Sequence, residues 1–148
     1  MQYGLNEEQE MIASTVRSFV ENEIYPHEDL VERTGEVPKE IAQEIKRKTL
    51  DLGFYACNFP ESLGCAGLNH LEFALVEREL GRGSMALNHF FGRPQNILMA
   101  CTGDQIENYL KPAVLGEKMD ALAMTEPGAG SDIRSMSCSA KRDGGDWV

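Results

Sequence analysis

The sequence has few basic residues, and this shortage limits the partners that it can have. Its 148 residues include 14 lysines and arginines against 24 aspartates and glutamates, a formal net charge of -10. A nucleic-acid-binding surface needs a basic patch, so we expect no nucleic-acid partner. No apolar run is long enough to span a membrane, and the first residues match neither a secretory signal nor an Arg-rich transit peptide. We therefore predict a soluble, cytoplasmic protein without a membrane partner.

The sequence also lacks the spacings of metal sites and of several common catalytic motifs. Its four cysteines form no C-x-x-C pair, and its three histidines, His27, His70 and His89, share no ligand spacing. Reduced thiols in a cytosol-like compartment are therefore favoured over a disulfide framework. A P-loop, a dinucleotide-binding fingerprint and a nucleophile elbow are all missing. We predict no metal site and no hydrolase triad.

Apolar residues at helical spacing dominate the first 120 residues of the chain. The helix starts are marked by capping residues or by proline, and the ends by glycine or proline. The predicted helices run from Asn6 to Pro26, from Pro38 to Gly53, from near Asn69 to Gly81, from Ser84 to about Phe91, over 95–101, and over 102–110 before Pro112. We therefore predict a mainly α protein whose residues 1–120 form a helix bundle with short connections.

The character of the chain changes after Asp120. Residues 135–141 alternate weakly and are predicted as a strand, and residues 143–146 as a hairpin turn. Residues 147–148 would open the returning strand, where the sequence given stops. A natural domain rarely stops there, because the strand edge would stay unpaired. We therefore expect that residues 121–148 are the beginning of a truncated β domain and that the sequence is a fragment.

The segment Ala123–Asp132, with the sequence A-M-T-E-P-G-A-G-S-D, is the most informative part of the chain. Glycine allows close backbone approach to a ligand, and Pro127 fixes one dihedral and removes a donor. Free N–H groups in such a loop form an anion-binding concavity, to which Ser131 adds a hydroxyl. The plainer interpretation is a Gly-rich turn before an edge strand, capped by Ser131 or Asp132.

This segment resembles the signature of the acyl-CoA dehydrogenase family of flavoenzymes, and every position of that signature is met. Weaker similarities to the family follow in the same order along nearly the whole chain. They comprise L-N-E-E-Q at 5–9, L-G-F at 52–54, P-E-S-L-G at 60–64, E-R-E-L-G-R at 77–82, Y-L-K-P at 109–112 and G-E at 116–117. One departure is visible: Cys65 and Ala66 stand where the family has a glycine before Gly67.

The resemblance implies an N-terminal helical domain, the first strand of a middle β domain, and a bound FAD. Family members remove hydrogens from the α and β carbons of an acyl-CoA thioester in fatty-acid metabolism and pass electrons to an electron-transferring flavoprotein. The residues implied to contact FAD are Leu122, Ala123, Met124, Thr125, Gly130 and Ser131. Of these, Ser131 is also implied to touch the acyl-CoA, and Thr125 to lie near the polar edge of the flavin ring.

The resemblance also implies that these residues do not include the catalytic base. The family's catalytic base is a glutamate of a C-terminal helical domain that lies beyond Val148, so we expect the 148-residue chain alone to be inactive. Neither Glu126 nor Glu79 is assigned as the catalytic base in its place. A glutamate near a turn, such as Glu126, more often bonds the backbone of its own loop, and a helix glutamate such as Glu79 is more often solvated or paired with an arginine. The family further implies a homotetramer.

Other functions are compatible with the same sequence. An acyl-CoA oxidase or a flavin-dependent monooxygenase would use the same scaffold, and a non-catalytic helical interaction module would keep the scaffold without the cofactor. Four apolar side chains could line an acyl cavity, although core packing is their default interpretation. These are Met85, Phe90, Phe91 and Met99.

Overall fold

The computed structural model describes residues 4–148, so the first three residues of the predicted helical domain lie outside it. Its N-terminal part is one long helical segment made of α1 (Glu7–Phe19), a π-helical turn (Val20–Ile24) and α2 (Tyr25–Thr34). The start is a capping box, in which the Asn6 side chain accepts from the Gln9 N–H at 2.8 Å and the Gln9 side chain accepts from the Asn6 N–H at 3.2 Å.

The prediction that Pro26 ends the first helix is wrong. Pro26 lies in the first turn of α2, where a missing N–H does least harm. The π-helical turn just before it changes the hydrogen-bond spacing, and the Tyr25 N–H donates to the Val20 carbonyl, five residues back. The helix ends instead at Gly35, which has a φ of +72° and donates its N–H to the Val31 carbonyl at 2.8 Å.

The next two helices lie close to where the sequence predicts them. Helix α3 spans Lys39–Asp51, with Pro38 directly before it and Gly53, at a φ of +74°, just after it. Helix α4 spans His70–Leu80, and the Asn69 side chain accepts from the Leu71 N–H at 2.9 Å and from the Glu72 N–H at 3.1 Å. The capping residues identified from the sequence therefore set these boundaries.

The remaining helical segments are short. They are a 3-10 turn at Glu61–Leu63, α5 at Met85–Asn88, 3-10 turns at His89–Phe91 and Asn96–Ala100, a π-helical turn at Ile106–Leu110, α6 at Lys111–Val114, and a 3-10 turn at Ile133–Ser135. The last predicted helix continues past Pro112 for the same reason as at Pro26, because Pro112 lies in the first turn of α6 after a π-helical turn. A mainly helical chain is confirmed.

The core has two parts. The larger one joins α1, α3, α4 and the segment that contains Phe91, whose ring is fully buried and meets the Phe19 ring edge-on at 5.3 Å between centroids. The smaller one surrounds Phe59 and Tyr55 and includes Leu110 and Val114. Together they tie the loop that follows α3 to the helical segments that lead to the signature.

The C-terminal residues form a small antiparallel hairpin of β1 (Arg142–Asp143) and β2 (Asp146–Trp147). Arg142 lies opposite Trp147, and Lys141 and Val148 exchange two backbone hydrogen bonds at 2.7 and 2.9 Å. The predicted turn at 143–146 is confirmed. The predicted strand over 135–141 is wrong, because residues 136–140 pair with no other strand in the part of the chain that the structure describes.

Within residues 4–148, no helix combines the length and the apolar character needed to cross a membrane.

Candidate functional site: the signature loop

The segment Ala123–Asp132 folds into an exposed loop built on one tight turn. The Glu126 N–H donates to the Ala129 carbonyl at 3.0 Å, and the Ala129 N–H donates back to the Glu126 carbonyl at 3.1 Å. Ala129 is buried, while Gly128 and Gly130 have open space where a Cβ would stand. The two glycines therefore leave room for another molecule to approach the backbone of this loop.

The Glu126 carboxylate is bonded to two residues that follow the signature. Its Oε1 accepts from the Ser137 N–H at 2.7 Å and from the Ser137 hydroxyl at 2.9 Å, and its Oε2 accepts from the Cys138 N–H at 2.9 Å. The N–H of Ser137, with help from its hydroxyl and from the Cys138 N–H, lowers the pKa of Glu126. Glu126 thus bonds backbone as expected, but the partners lie eleven and twelve residues further on and not in its own loop.

A second acid closes the end of the loop. Asp132 Oδ1 accepts from the Arg134 N–H at 3.2 Å, and Asp132 Oδ2 accepts from the Ser135 hydroxyl at 2.5 Å. This local turn starts the 3-10 segment Ile133–Ser135. Asp132 is therefore a capping residue, as the plainer interpretation of the segment has it.

The residues predicted to contact a cofactor lie on this loop, apart from Leu122, which directly precedes it. Leu122 and Met124 are 59% and 39% exposed, and the others are also exposed, namely Ala123, Thr125, Gly130 and Ser131. Because Glu126 and Ala129 are paired, the residues that flank them, Thr125 and Gly130, lie next to each other at the open end of the turn. Two exposed hydroxyls and a glycine-containing backbone are a donor set that suits the polar edge of a flavin ring or a pyrophosphate.

The other carboxylate considered in the sequence, Glu79, is held by arginines. Its side chain is 2% exposed and accepts hydrogen bonds from Arg17, Arg78 and Arg82 at 2.9–3.3 Å. The Arg17 hydrogen bond is the largest of the causes that lower the pKa of Glu79 to about 2. A carboxylate held ionised by three cations is a poor proton acceptor, so Glu79 serves to join α1 to α4.

A cavity of about 430 Å³ lies beside Met119 and Asp120, which precede the signature loop. It is bounded by the Tyr55–Asn58 segment, α4, residues 89–96, and Met119 with Asp120. Inside it, Arg93 and Glu77 form an ion pair, and the Asp120 carboxylate accepts from the Gln95 N–H at 2.9 Å. Sequence reasoning missed these polar residues, although Arg93 could have been found as the one lysine, arginine, aspartate or glutamate between Arg82 and Asp104.

The four apolar candidates for an acyl cavity are dispersed. Phe91 is fully buried in the core and Phe90 packs against it, whereas Met85 and Met99 are 85% and 51% exposed. Core packing is thus confirmed for the two phenylalanines. Across residues 4–148, no group of three histidine, cysteine, aspartate or glutamate side chains lies close enough to hold a metal ion.

The fold and the loop together define a helical domain that leads directly into an exposed, glycine-containing loop. Residues 6–117 match the family profile described as the acyl-CoA dehydrogenase N-terminal domain. This chain therefore belongs to the acyl-CoA dehydrogenase family.

Individual relatives agree with this assignment. The chain is 34% identical to the 3-(aryl)acrylate reductase of Clostridium sporogenes and 36% identical to CarC, the subunit of the caffeyl-CoA reductase-Etf complex of Acetobacterium woodii. Each alignment covers 96% of this chain and 38% of the relative. This chain thus spans a little over a third of the length of these relatives.

Solved structures of the family have the same fold. The acyl-CoA dehydrogenase of Geobacillus kaustophilus superposes with a TM-score of 0.74 at 28% identity, over 100% of this chain and 39% of that one. The glutaryl-CoA dehydrogenase of Mycobacterium smegmatis, solved in complex with FADH2, gives a TM-score of 0.76 at 28% identity, over 97% of this chain and 37% of that one. The family and the mainly helical fold predicted from the sequence are both confirmed.

Proposed function

We propose that this chain supplies part of the FAD and acyl-CoA site of a dehydrogenase that oxidises the α and β carbons of an acyl-CoA thioester. The observation that carries the proposal is the exposed signature loop, which directly follows a helical domain of this family. The FADH2-bound glutaryl-CoA dehydrogenase supports FAD as the cofactor. Residues 1–120 would form the helical domain, and residues 121–148 the start of the β domain.

The residues of the loop would hold and orient the two ligands. Leu122, Ala123 and Met124 would lie along the flavin ring, and the Thr125 hydroxyl would donate to its polar edge. Ser131 and the backbone at Gly130 would contact the FAD pyrophosphate, and Ser131 also the acyl-CoA. When bound, FAD supplies an acceptor for the hydride that leaves the β carbon, while the protein supplies placement and polarity.

Proton removal from the α carbon is assigned to no residue of this chain. Glu79 is held by three arginines, and Glu126 accepts hydrogen bonds from three donor groups of Ser137 and Cys138. The proposal therefore places the base outside the 148 residues and leaves the chain alone inactive. An electron-transferring flavoprotein is the proposed acceptor, because one relative is a subunit of an Etf complex, and the proposed assembly is a homotetramer.

The proposal is tested by FAD affinity in the full-length protein encoded by the gene. We expect that Thr125→Ala and Ser131→Ala each weaken FAD binding by about tenfold, the effect of one lost hydrogen bond to a polar ligand. Ser139→Ala removes an exposed hydroxyl outside the loop and is the matched control. Unchanged affinity in both loop variants would refute the assignment.

The two alternatives give different results in the same preparation. An oxidase or a monooxygenase on this scaffold would reoxidise its reduced flavin rapidly with oxygen, whereas the proposed dehydrogenase would need a flavoprotein acceptor. A non-catalytic interaction module would retain no flavin at all. Measuring flavin content first, and the rate of reoxidation by oxygen second, separates the three.

A further inference from the structure

Glu126 stands inside the signature, yet its side chain turns toward a different part of the chain. Its two oxygens accept three hydrogen bonds from Ser137 and Cys138, which lie eleven and twelve residues further on. We propose that Glu126 is a positioning residue that holds the signature loop in the shape that receives FAD. This inference rests on the proposed function of the loop.

The three bonds close the loop at its base. We call them the Glu126 clasp, and they enclose residues 127–136, which include Gly130 and Ser131. Within that enclosed segment the other hydrogen bonds are local. They are the turn from Glu126 to Ala129, the bonds of Asp132 to Arg134 and Ser135, and the bond from the Met136 N–H to the Ile133 carbonyl. In the part of the chain that the structure describes, the clasp is what fastens the two ends of the segment to each other.

Little packing holds this segment in place. Ala129 is its buried residue, Gly128 and Gly130 have open space around them, and Ile133 and Met136 are 58% and 41% exposed. A loop with few buried contacts keeps a defined shape mainly through its hydrogen bonds. Because flexible glycines adjoin the ligand-facing residues, loss of the clasp would let the loop leave its receptive shape, and FAD would then have to order it on binding.

The side chain at position 126 must have both charge and reach. A carboxylate only accepts hydrogen bonds, so both of its oxygens suit the three donors. In Glu126→Gln an amide NH2 group would face at least one of those donors. In Glu126→Asp the charge would remain, but the side chain would be one methylene shorter and would not span the gap to Cys138.

The test measures the FAD dissociation constant of the full-length protein by flavin fluorescence. We expect that Glu126→Gln and Glu126→Asp both weaken FAD binding by about tenfold or more, since an unpaired donor and a loosened loop both disfavour the complex. Glu117→Gln removes an exposed acid outside the loop and should leave the affinity unchanged. Wild-type affinity in Glu126→Asp would overturn the inference, because charge alone would then suffice.

A double-mutant cycle distinguishes the clasp from a general loss of stability. Ser137→Ala removes one donor of the clasp and keeps the Glu126 charge, so we expect a loss of a few-fold in FAD affinity. Because both changes break the same clasp, the double variant with Glu126→Gln should bind FAD no worse than Glu126→Gln alone. Additive losses would overturn the inference, and so would wild-type affinity in Ser137→Ala.

The wild-type measurement separates this inference from the proposed function. If the wild-type protein binds no FAD, the proposed function is wrong and the clasp has no flavin loop to position. If the wild-type protein binds FAD and the Glu126 variants bind it equally well, the proposed function stands and the clasp is refuted. Far-UV circular dichroism of each variant shows whether the helical domain is intact, and Ser137→Ala decides the matter if Glu126→Gln does not fold.

Discussion

Replacing Glu79 with glutamine tests the ion cluster that joins α1 to α4. The Glu79 carboxylate is 2% exposed and bonded by three arginines that are themselves 41–53% exposed. Its pKa is lowered from 4.5 to about 2, with the Arg17 hydrogen bond as the largest cause. A lowering of that size corresponds to about 3 kcal/mol of stability at neutral pH.

The loss in Glu79→Gln should be smaller than that figure. The three guanidinium groups are partly in water and can be rehydrated when the carboxylate is gone, so we expect a loss of about 2 kcal/mol in the free energy of unfolding at pH 7. The assay is urea denaturation followed by far-UV circular dichroism, with the midpoint and the slope fitted separately.

The pH dependence provides the stricter test. Because the folded-state pKa is depressed, the stabilisation is complete above the unfolded value of 4.5 and is lost as the pH falls toward about 2. The difference between wild type and Glu79→Gln should therefore shrink between pH 5 and pH 2. Glu44→Gln is the control: the Glu44 pKa is also about 2, with the Arg47 hydrogen bond as its largest cause, but the side chain is 49% exposed. An equal loss in both variants, or a difference independent of pH, would refute the reasoning.

Two further predictions concern packing and thiol accessibility. Gly92→Ala should destabilise the protein by more than about 2 kcal/mol in thermal melts, because its φ is +83° and a Cβ would lie 1.8 Å from a Tyr55 ring carbon. Gly53→Ala, with a φ of +74° and open space, should cost about 1 kcal/mol, and equal losses would contradict the packing argument. Cys138 is exposed, whereas burial raises the pKa of Cys57 to about 12. A thiol reagent followed by mass spectrometry should therefore label Cys138 in the native protein and Cys57 only after unfolding, and rapid labelling of Cys57 would contradict its burial.

The helix boundaries show what local sequence signals can predict. Asn6, Asn69 and Gly53 act within one turn of their own positions, so their capping roles could be identified from the sequence. Pro26 and Pro112 were misleading, because each lies in the first turn of an α-helix, where proline is tolerated. A π-helical turn before each of them changes the hydrogen-bond spacing, and no residue type predicts such a turn.

The candidate site was predictable as a segment but not as a geometry. The order of residues 123–132 identifies the signature, and the structure keeps the segment exposed. The Glu126 clasp joins residues eleven and twelve positions apart, and the ion pair of Glu79 with Arg17 joins residues sixty-two positions apart. Contacts of this kind depend on tertiary folding, so residue spacing alone could predict that these acids are bonded but not by which partners. The strand predicted at 135–141 failed for a related reason, since a strand needs a partner to form.

We propose that the full-length protein holds FAD at the signature loop and uses it to oxidise an acyl-CoA. The most direct measurement is the visible absorbance of the flavin in the purified full-length protein, recorded without oxygen before and after mixing with a panel of acyl-CoA thioesters. We predict that the flavin is retained and that the visible absorbance band of the oxidised flavin, which lies in the blue, is bleached by at least one thioester. A protein that retains no flavin, or a bound flavin that no acyl-CoA bleaches, would contradict the account.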